Sequence, residues 1–289
     1  MQKSIKVESG KFVGYVNGKA VVRSSSKYYV ERKLEAFVED EPSNESTAFD
    51  INTRFQFVED LVGMVASKAT ASALVTGEGG LGKTYTVIKA LEAAGLRNID
   101  TLAAGMVVNP SKTYKVIKGF STAKGLFRIL AENADSILVF DDCDSILKDD
   151  NALNILKGAL DTFDRRIITW NTSRDEDDIP RSFEFKGGIV FISNMPLARI
   201  EQAVRTRAMV VDLSMTTTQK IERMALIMKS DEFMPEVKND VKAKAFELVA
   251  EMKEKCAEVS LRTLIKATKI AASGNPNWKK LAEYMLVQG

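Results

Sequence analysis

Apolar and polar positions change their spacing three times along the chain. Over residues 11–24, KFVGYVNGKAVVRS, two β-rich runs flank Asn17-Gly18, a pair that suits a two-residue hairpin turn because both central positions need positive φ. A short N-terminal β element is expected there. The polar stretch EDEPSNEST at 39–47 predicts a linker and a boundary near residue 48. Beyond it, helical spacing alternates with short apolar runs: a helix at 52–68, a strand at 71–76, a glycine-rich loop, a helix from Lys83 and a strand at 106–109. A helix at 122–133, a strand at 136–140 and a helix at 151–163 follow, with RIITW at 166–170 and GIVFIS at 188–193 as further strands. Continuous apolar strands between helices predict an α/β domain, a parallel sheet covered by helices on both faces. After Asp212 the β signal stops, and 217–229, 237–256 and 260–272 carry helical spacing, so a small helical domain closes the chain. The expected division is 1–47, 48–215 and 216–289.

A chain of 289 residues with 45% hydrophobic content can fill the core of one large domain and one small one. Lys and Arg total 41 against 39 Asp and Glu, a net charge of +2, so any polyanion site has to be a local patch. Histidine is absent, which excludes His-based triads and His metal sites and leaves acid–base work to carboxylates and lysine. Cys143 and Cys256 lie far apart without metal-ligand spacing and are expected as free thiols in a reducing compartment. MQKSIKVESGK alternates charged and apolar residues, which predicts no signal peptide, and no run approaches the roughly 20 apolar residues that span a bilayer. A cytoplasmic protein with no membrane partner is the expectation.

The candidate chemistry sits in two segments. GEGGLGKT at 77–84 fits G-x-x-x-x-G-K-[ST], placed after a predicted strand and opening a predicted helix. Glycines let successive backbone N–H groups turn toward a phosphate, and the helix N-terminus adds partial positive charge. Gly77, Glu78, Gly79, Gly80, Leu81, Gly82, Lys83 and Thr84, with Tyr85 after them, form the expected nucleotide-binding set. Lys83 is expected to reach the β- and γ-phosphates, and Thr84 to offer its hydroxyl to Mg2+. SILVFDD at 136–142 is an apolar strand ending in paired carboxylates. Asp141 is assigned to the metal and Asp142 to the attacking water, although either carboxylate can take the other's role.

This order of motifs resembles the AAA+ ATPase superfamily over roughly residues 50–275, and the FDDCDSIL and FISNMP segments are similar to those of ATPases encoded by tailed bacteriophages. The resemblance implies an α/β phosphate-loop domain, a small helical lid, ATP and Mg2+ as cofactors, and a homo-oligomeric ring, hexameric by preference. It also implies roles for four more residues. Asn194, ending the strand at 188–193, matches the sensor-1 position; Arg207, with Arg205 in reserve, matches the arginine finger that enters a neighbour's site; Arg262 matches sensor 2.

Two segments bear on what such an ATPase acts on. TYKVIKGF at 113–120 lies where the family places an axial loop, and its lysines and aromatics suit nucleic acid; Phe120 equally suits the apolar position before a helix cap. Residues 164–185 hold two β-like runs around a charged loop, an inserted hairpin in a place that viral helicases use for DNA contact, or a solvent loop whose charges pair locally. A ring ATPase that loads, remodels or translocates on DNA is the first expectation. A protein-remodelling ATPase and a nucleotide-dependent switch on a protein partner stand behind it.

Overall fold

In the computed structural model, residues 3–8, 10–16, 19–24, 26–27, 30–31, 34, 49–119, 122–161, 165–171 and 179–288 are described. They fall into two compact units, Met1–Glu41 and Pro42–Gly289.

In the first unit, β1 (Lys3–Glu8), β2 (Lys11–Val16) and β3 (Lys19–Ser24) form an antiparallel sheet in that order. The pairing Val16↔Lys19 brackets Asn17-Gly18, which lie outside the described residues. Ile5, Phe12, Val16 and Val22 share a core with Val30 and Leu34. Strand β1 was not expected, because its three charged residues mask the alternation that places Ile5 on this core.

The second unit is built on six strands: β4 (Ser72–Thr76), β5 (Arg97–Asn98), β6 (Thr113–Lys118), β7 (Ile137–Asp141), β10 (Ile189–Ile192) and β11 (Met209–Asp212). Their order is β11-β4-β10-β7-β6-β5, and every neighbouring pair is parallel. Side chains alternate between two cores, as a pleated strand requires. Ala73, Val75, Ile137, Val139, Val190 and Ile192 pack toward α1 (Ile51–Ala66) and α2 (Lys83–Ala93). Leu74, Leu138, Phe140, Ile189 and Phe191 pack toward α3 (Ala123–Glu132) and α4 (Asp150–Leu160). The helix starts carry side-chain caps: Asp50 accepts from the N–H groups of Asn52 and Thr53, Thr122 from that of Gly125, and Asp149 from those of Asn151 and Ala152.

Two expectations are corrected here. Residues 106–109 are not a strand: Met106 is exposed and Val107 is 98% exposed. The strand lies instead at Thr113–Lys118, where a loop was expected, and Tyr114 is fully buried in it. The expected strand at 166–170 is real only as β8 (Ile167–Thr169), which leaves the main sheet and pairs antiparallel with β9 (Ser182–Glu184). Those two strands are the inserted hairpin, between β7 and β10 in the sequence.

The short α5 (Gln202–Arg205) precedes β11, after which α6 (Thr217–Met228), α7 (Asn239–Glu251), α8 (Leu261–Ala272) and α9 (Trp278–Gln288) share an apolar core that includes Met224, Leu248, Leu264 and Leu286. The last of these helices had not been expected. Among the described residues, no helix is long and apolar enough to cross a membrane.

Gly187 shows how tightly the sheet is joined. A Cβ there would sit 1.9 Å from the Ser136 carbonyl oxygen, while Arg166 Nη2 donates to the Gly187 carbonyl at 2.5 Å. Gly187→Ala is therefore expected to destabilise the protein by about 3 kcal/mol through overpacking against backbone. Gly158→Ala, inside α4 with no atom within 4 Å of the added carbon, should be neutral or stabilising by about 0.5–1 kcal/mol. Urea unfolding midpoints of the two variants check the contrast.

Candidate nucleotide site

Parallel pairing carries the C-terminal ends of β4, β7 and β10 to one edge of the sheet, where open α/β folds place their ligands. There the glycine loop leaves β4. Gly77, Gly80 and Gly82 hold φ of 129°, 75° and 94°, a region that side chains with a Cβ rarely adopt. Gly82 caps α2 without a side chain, so no side chain occupies the helix N-terminus. Beside it is a cavity of about 230 Å³ lined by Gly79, Gly80, Gly82, Lys83, Thr84, Tyr85, Asp141, Asp142, Asn194, Leu261, Arg262 and Ile265.

Lys83 is buried, and its ammonium donates to the carbonyls of Gly77 and Glu78 at 2.6 Å each and to Asn194 Oδ1 at 2.9 Å. Asn194 Nδ2 in turn donates to Asp142 Oδ1. Asp142 holds φ of 57°, a left-handed conformation that Asp tolerates better than most residues and that is enriched at functional sites. Thr84 Oγ1 donates to Asp141 Oδ1 at 2.9 Å. A hydroxyl and a buried carboxylate so placed are the hard oxygen donors that Mg2+ uses beside phosphate oxygens and water, so the residues fit that cation.

Helices α6 and α8 approach the same loop. The Leu261 N–H donates to the Gly80 carbonyl at 2.8 Å, and exposed Arg262 lines the cavity with no ion-pair partner among the described residues. Glu78 pairs with Lys220 of α6. The Tyr85 hydroxyl donates to Glu232, which Lys89 also reaches at 3.0 Å. A second cavity of about 320 Å³, bounded by Gly82, Tyr85 and Thr86 on one side and Leu226, Ile227, Phe233 and Leu261 on the other, opens beside α2.

Arg205 and Arg207 are not brought to this site. Ser72 Oγ, at the start of β4, donates to the Arg207 carbonyl at 3.2 Å, so Arg207 lies at the opposite end of the sheet. Five residues of β4 separate it from its own glycine loop, about 13 Å of strand. Arg207 Nη1 donates to the Ala203 carbonyl at 3.0 Å, and Arg205 Nε is buried without a hydrogen-bond partner among the described residues.

Some contributors were not foreseen. Ser193 Oγ donates to Asp144 at 2.6 Å and accepts from the Met195 N–H at 3.0 Å, bracketing Asn194. A serine before the polar strand end and a third acid after the pair were the available signal. Lys220 reaches the loop, and Glu232 the first turns of α2, through folding alone. Burial pushes the Cys143 thiol up to about 11, which keeps it protonated and inert beside the acids.

A glycine loop between a strand end and a helix start, with a buried lysine and two consecutive acids at the end of β7, defines a phosphate-loop nucleotide-binding fold. The sequence pattern of the ATPase family associated with various cellular activities (AAA) matches residues 73–197. Over 250 residues the chain is 30% identical to a protein of Enterobacteria phage T4 described as an uncharacterized 36.7 kDa protein in the nrdC-mobD intergenic region, covering 80% of this chain and 73% of that one. Among solved structures it is similar to the structure of C. elegans PCH-2, with a TM-score of 0.41 and 14% identity over 82% of this chain and 66% of that one. The chain belongs to the AAA family of ATPases and has a bacteriophage relative.

Burial holds the Lys83 ammonium down at about 8, against the opposing pull of Asp142, Asp141, Asp144 and Glu78. Phosphate binding requires the charged form and raises this value. Below about pH 8 the lysine is already protonated and affinity for ADP should be flat; above it binding must take up a proton, and affinity should fall by up to tenfold per pH unit. Calorimetric titration of ADP in buffers of differing ionisation enthalpy should show proton uptake at about pH 9 and little at about pH 7. Equal affinity and no uptake across that range would contradict the assignment.

Proposed function

We propose that the protein is a Mg2+-dependent ATPase that works as a ring-shaped homo-oligomer, hexameric by preference, and that its turnover drives loading, remodelling or translocation on DNA. The observation that carries the ATPase reading is the convergence of Lys83, Thr84, Asp141, Asp142, Asn194 and Arg262 on one cavity. Arg207, a strand length away from its own glycine loop, suits the oligomer, because an arginine placed there is remote from its own copy's site and free to serve a neighbour's.

In this reading the phosphates of ATP lie against the N-terminus of α2, and the Lys83 ammonium exchanges its bonds to Gly77 and Glu78 for phosphate oxygens. Thr84 and Asp141 would hold Mg2+, which would supply positive charge against that of the phosphates. The base enters the cavity lined by Leu226, Ile227 and Phe233. Asp142 accepts the proton of the attacking water. Asn194 holds Asp142 through its amide nitrogen and Lys83 through its amide oxygen, so base and phosphate ligand stay in register. Arg262 from α8 and Arg207 from the neighbouring copy meet the charge that spreads over the transferring phosphoryl group.

The DNA reading rests on the β8–β9 hairpin, inserted between β7, which leads into Asp142, and β10, which leads into Asn194. Its position would let hydrolysis displace it. Arg165 is paired with Glu184 at 3.0 Å on its exposed face, so this cation is partly neutralised. The basic aromatic segment gives less support to DNA contact: Thr113–Lys118 is a sheet strand, and Phe120 lies outside the described residues.

Asp142→Asn should retain ATP binding and lose hydrolysis about a hundredfold or more, measured by steady-state phosphate release beside nucleotide titration. Arg207→Ala should be inactive alone, by about a thousandfold, and partly rescued on mixing with Lys83→Ala, because each supplies what the other lacks. Absence of rescue in a mixture shown to co-assemble would end the shared-site reading. Salt-sensitive stimulation of turnover by single- or double-stranded DNA supports the DNA assignment; turnover indifferent to both moves it to a protein substrate.

A further inference from the structure

Strand β6 ends at Lys118, and its register with β7 sets Lys118 opposite Asp141. Lys118 Nζ lies 3.3 Å from Asp141 Oδ2. The other carboxylate oxygen, Oδ1, accepts from Thr84 at 2.9 Å, so both oxygens of Asp141 are engaged. Exposure is unequal across the ion pair: the Asp141 side chain is 8% exposed and that of Lys118 is 66%. The carboxylate is therefore held in place, while the lysine can swing into water on its four-carbon stem.

The local charge explains why a cation sits there. Asp141, Asp142 and Asp144 fall within four residues, and the Lys83 ammonium donates its hydrogen bonds to Gly77, Glu78 and Asn194 instead of to any of them. Among the described residues, Lys118 is the cation within ion-pair distance of Asp141. A divalent cation held by Thr84 and Asp141 would lie next to that ammonium and repel it.

We propose that Lys118 is a built-in counter-ion that competes with Mg2+ for Asp141 and thereby sets the Mg2+ concentration at which the site takes up metal-bound nucleotide; this rests on the ATPase reading above. In the metal-free site the lysine compensates the buried carboxylate. When Mg2+ arrives with nucleotide, Lys118 leaves Asp141 for solvent, and the cost of that release is subtracted from the metal's affinity. Lys118 acts as a positioning residue for the metal site and touches no reacting atom.

The test is binding without turnover. ADP affinity is measured by calorimetry first in EDTA and then across a Mg2+ titration, for the wild type, Lys118→Met and Lys118→Arg. Methionine keeps the stem and removes the charge, so the Mg2+ midpoint should fall roughly three- to fivefold, the scale of an ion pair with one exposed partner, with ADP affinity in EDTA unchanged. Arginine keeps the charge and should stay near the wild-type midpoint. An unchanged midpoint in Lys118→Met, with the wild type binding Mg·ADP normally, overturns this proposal alone. A raised midpoint, or weaker ADP binding in EDTA, also overturns it, because the lysine would then be assisting the phosphates. A wild type that binds no ADP with or without Mg2+ overturns the ATPase reading together with it.

Discussion

The buried ammonium of Lys83 is the interaction on which the site depends. A charge taken out of water is tolerated only if strong acceptors meet it, and here three do: the carbonyls of Gly77 and Glu78 and the side chain of Asn194. Because Asn194 also binds Asp142, one run of hydrogen bonds crosses from the loop after β4 to the end of β10 and on to the end of β7. Those strands are neighbours in the order β4-β10-β7 although they are far apart in sequence. Strand order, set by the two apolar faces, is thus what turns Lys83, Asp142 and Asn194 into one group. The register agrees at both pairings: Ile189 lies opposite Ser72 on one side and Leu138 on the other.

A second set of contacts ties the C-terminal helices to the same loop. Arg54 of α1 donates to the carbonyls of Asp212 and Ser214 at 3.0 and 2.9 Å, which pins the segment leading from β11 into α6. Arg223 of α6 lies 3.9 Å over the Phe55 ring and donates to Asn52 at 3.0 Å. The Leu261–Gly80 and Lys220–Glu78 contacts then meet the glycine loop directly. The C-terminal helices and the glycine loop are consequently joined through backbone and charge at the loop itself.

Much of this was legible in the sequence because burial on both faces leaves a plain signal. ALVT before Gly77, ILVF before Asp141 and IVFI before Ser193 are unbroken apolar runs, and each became a central strand. The error at 106–118 has the opposite cause. TYKVIK sits beside a two-residue edge strand, where Lys115 and Lys118 can reach solvent, so its pattern looks like a loop; MVV at 106–108 is apolar yet lies largely in water. Similar logic hid β1. The phosphate loop and the paired acids were visible because their chemistry demands particular residues at fixed spacing. Lys118, Lys220 and Glu232 were not, since nothing local marks a lysine or glutamate whose partner is brought to it by strand register or by the packing of a distant helix.

Steady-state ATP hydrolysis with Mg2+, followed over a wide range of protein concentration alongside sedimentation, decides whether two copies build one site. A site completed by Arg207 of another copy predicts turnover per chain that rises steeply as oligomers form and falls away on dilution to monomer. Turnover per chain that is constant from monomer to assembly, or no hydrolysis by the assembled protein, would contradict the account.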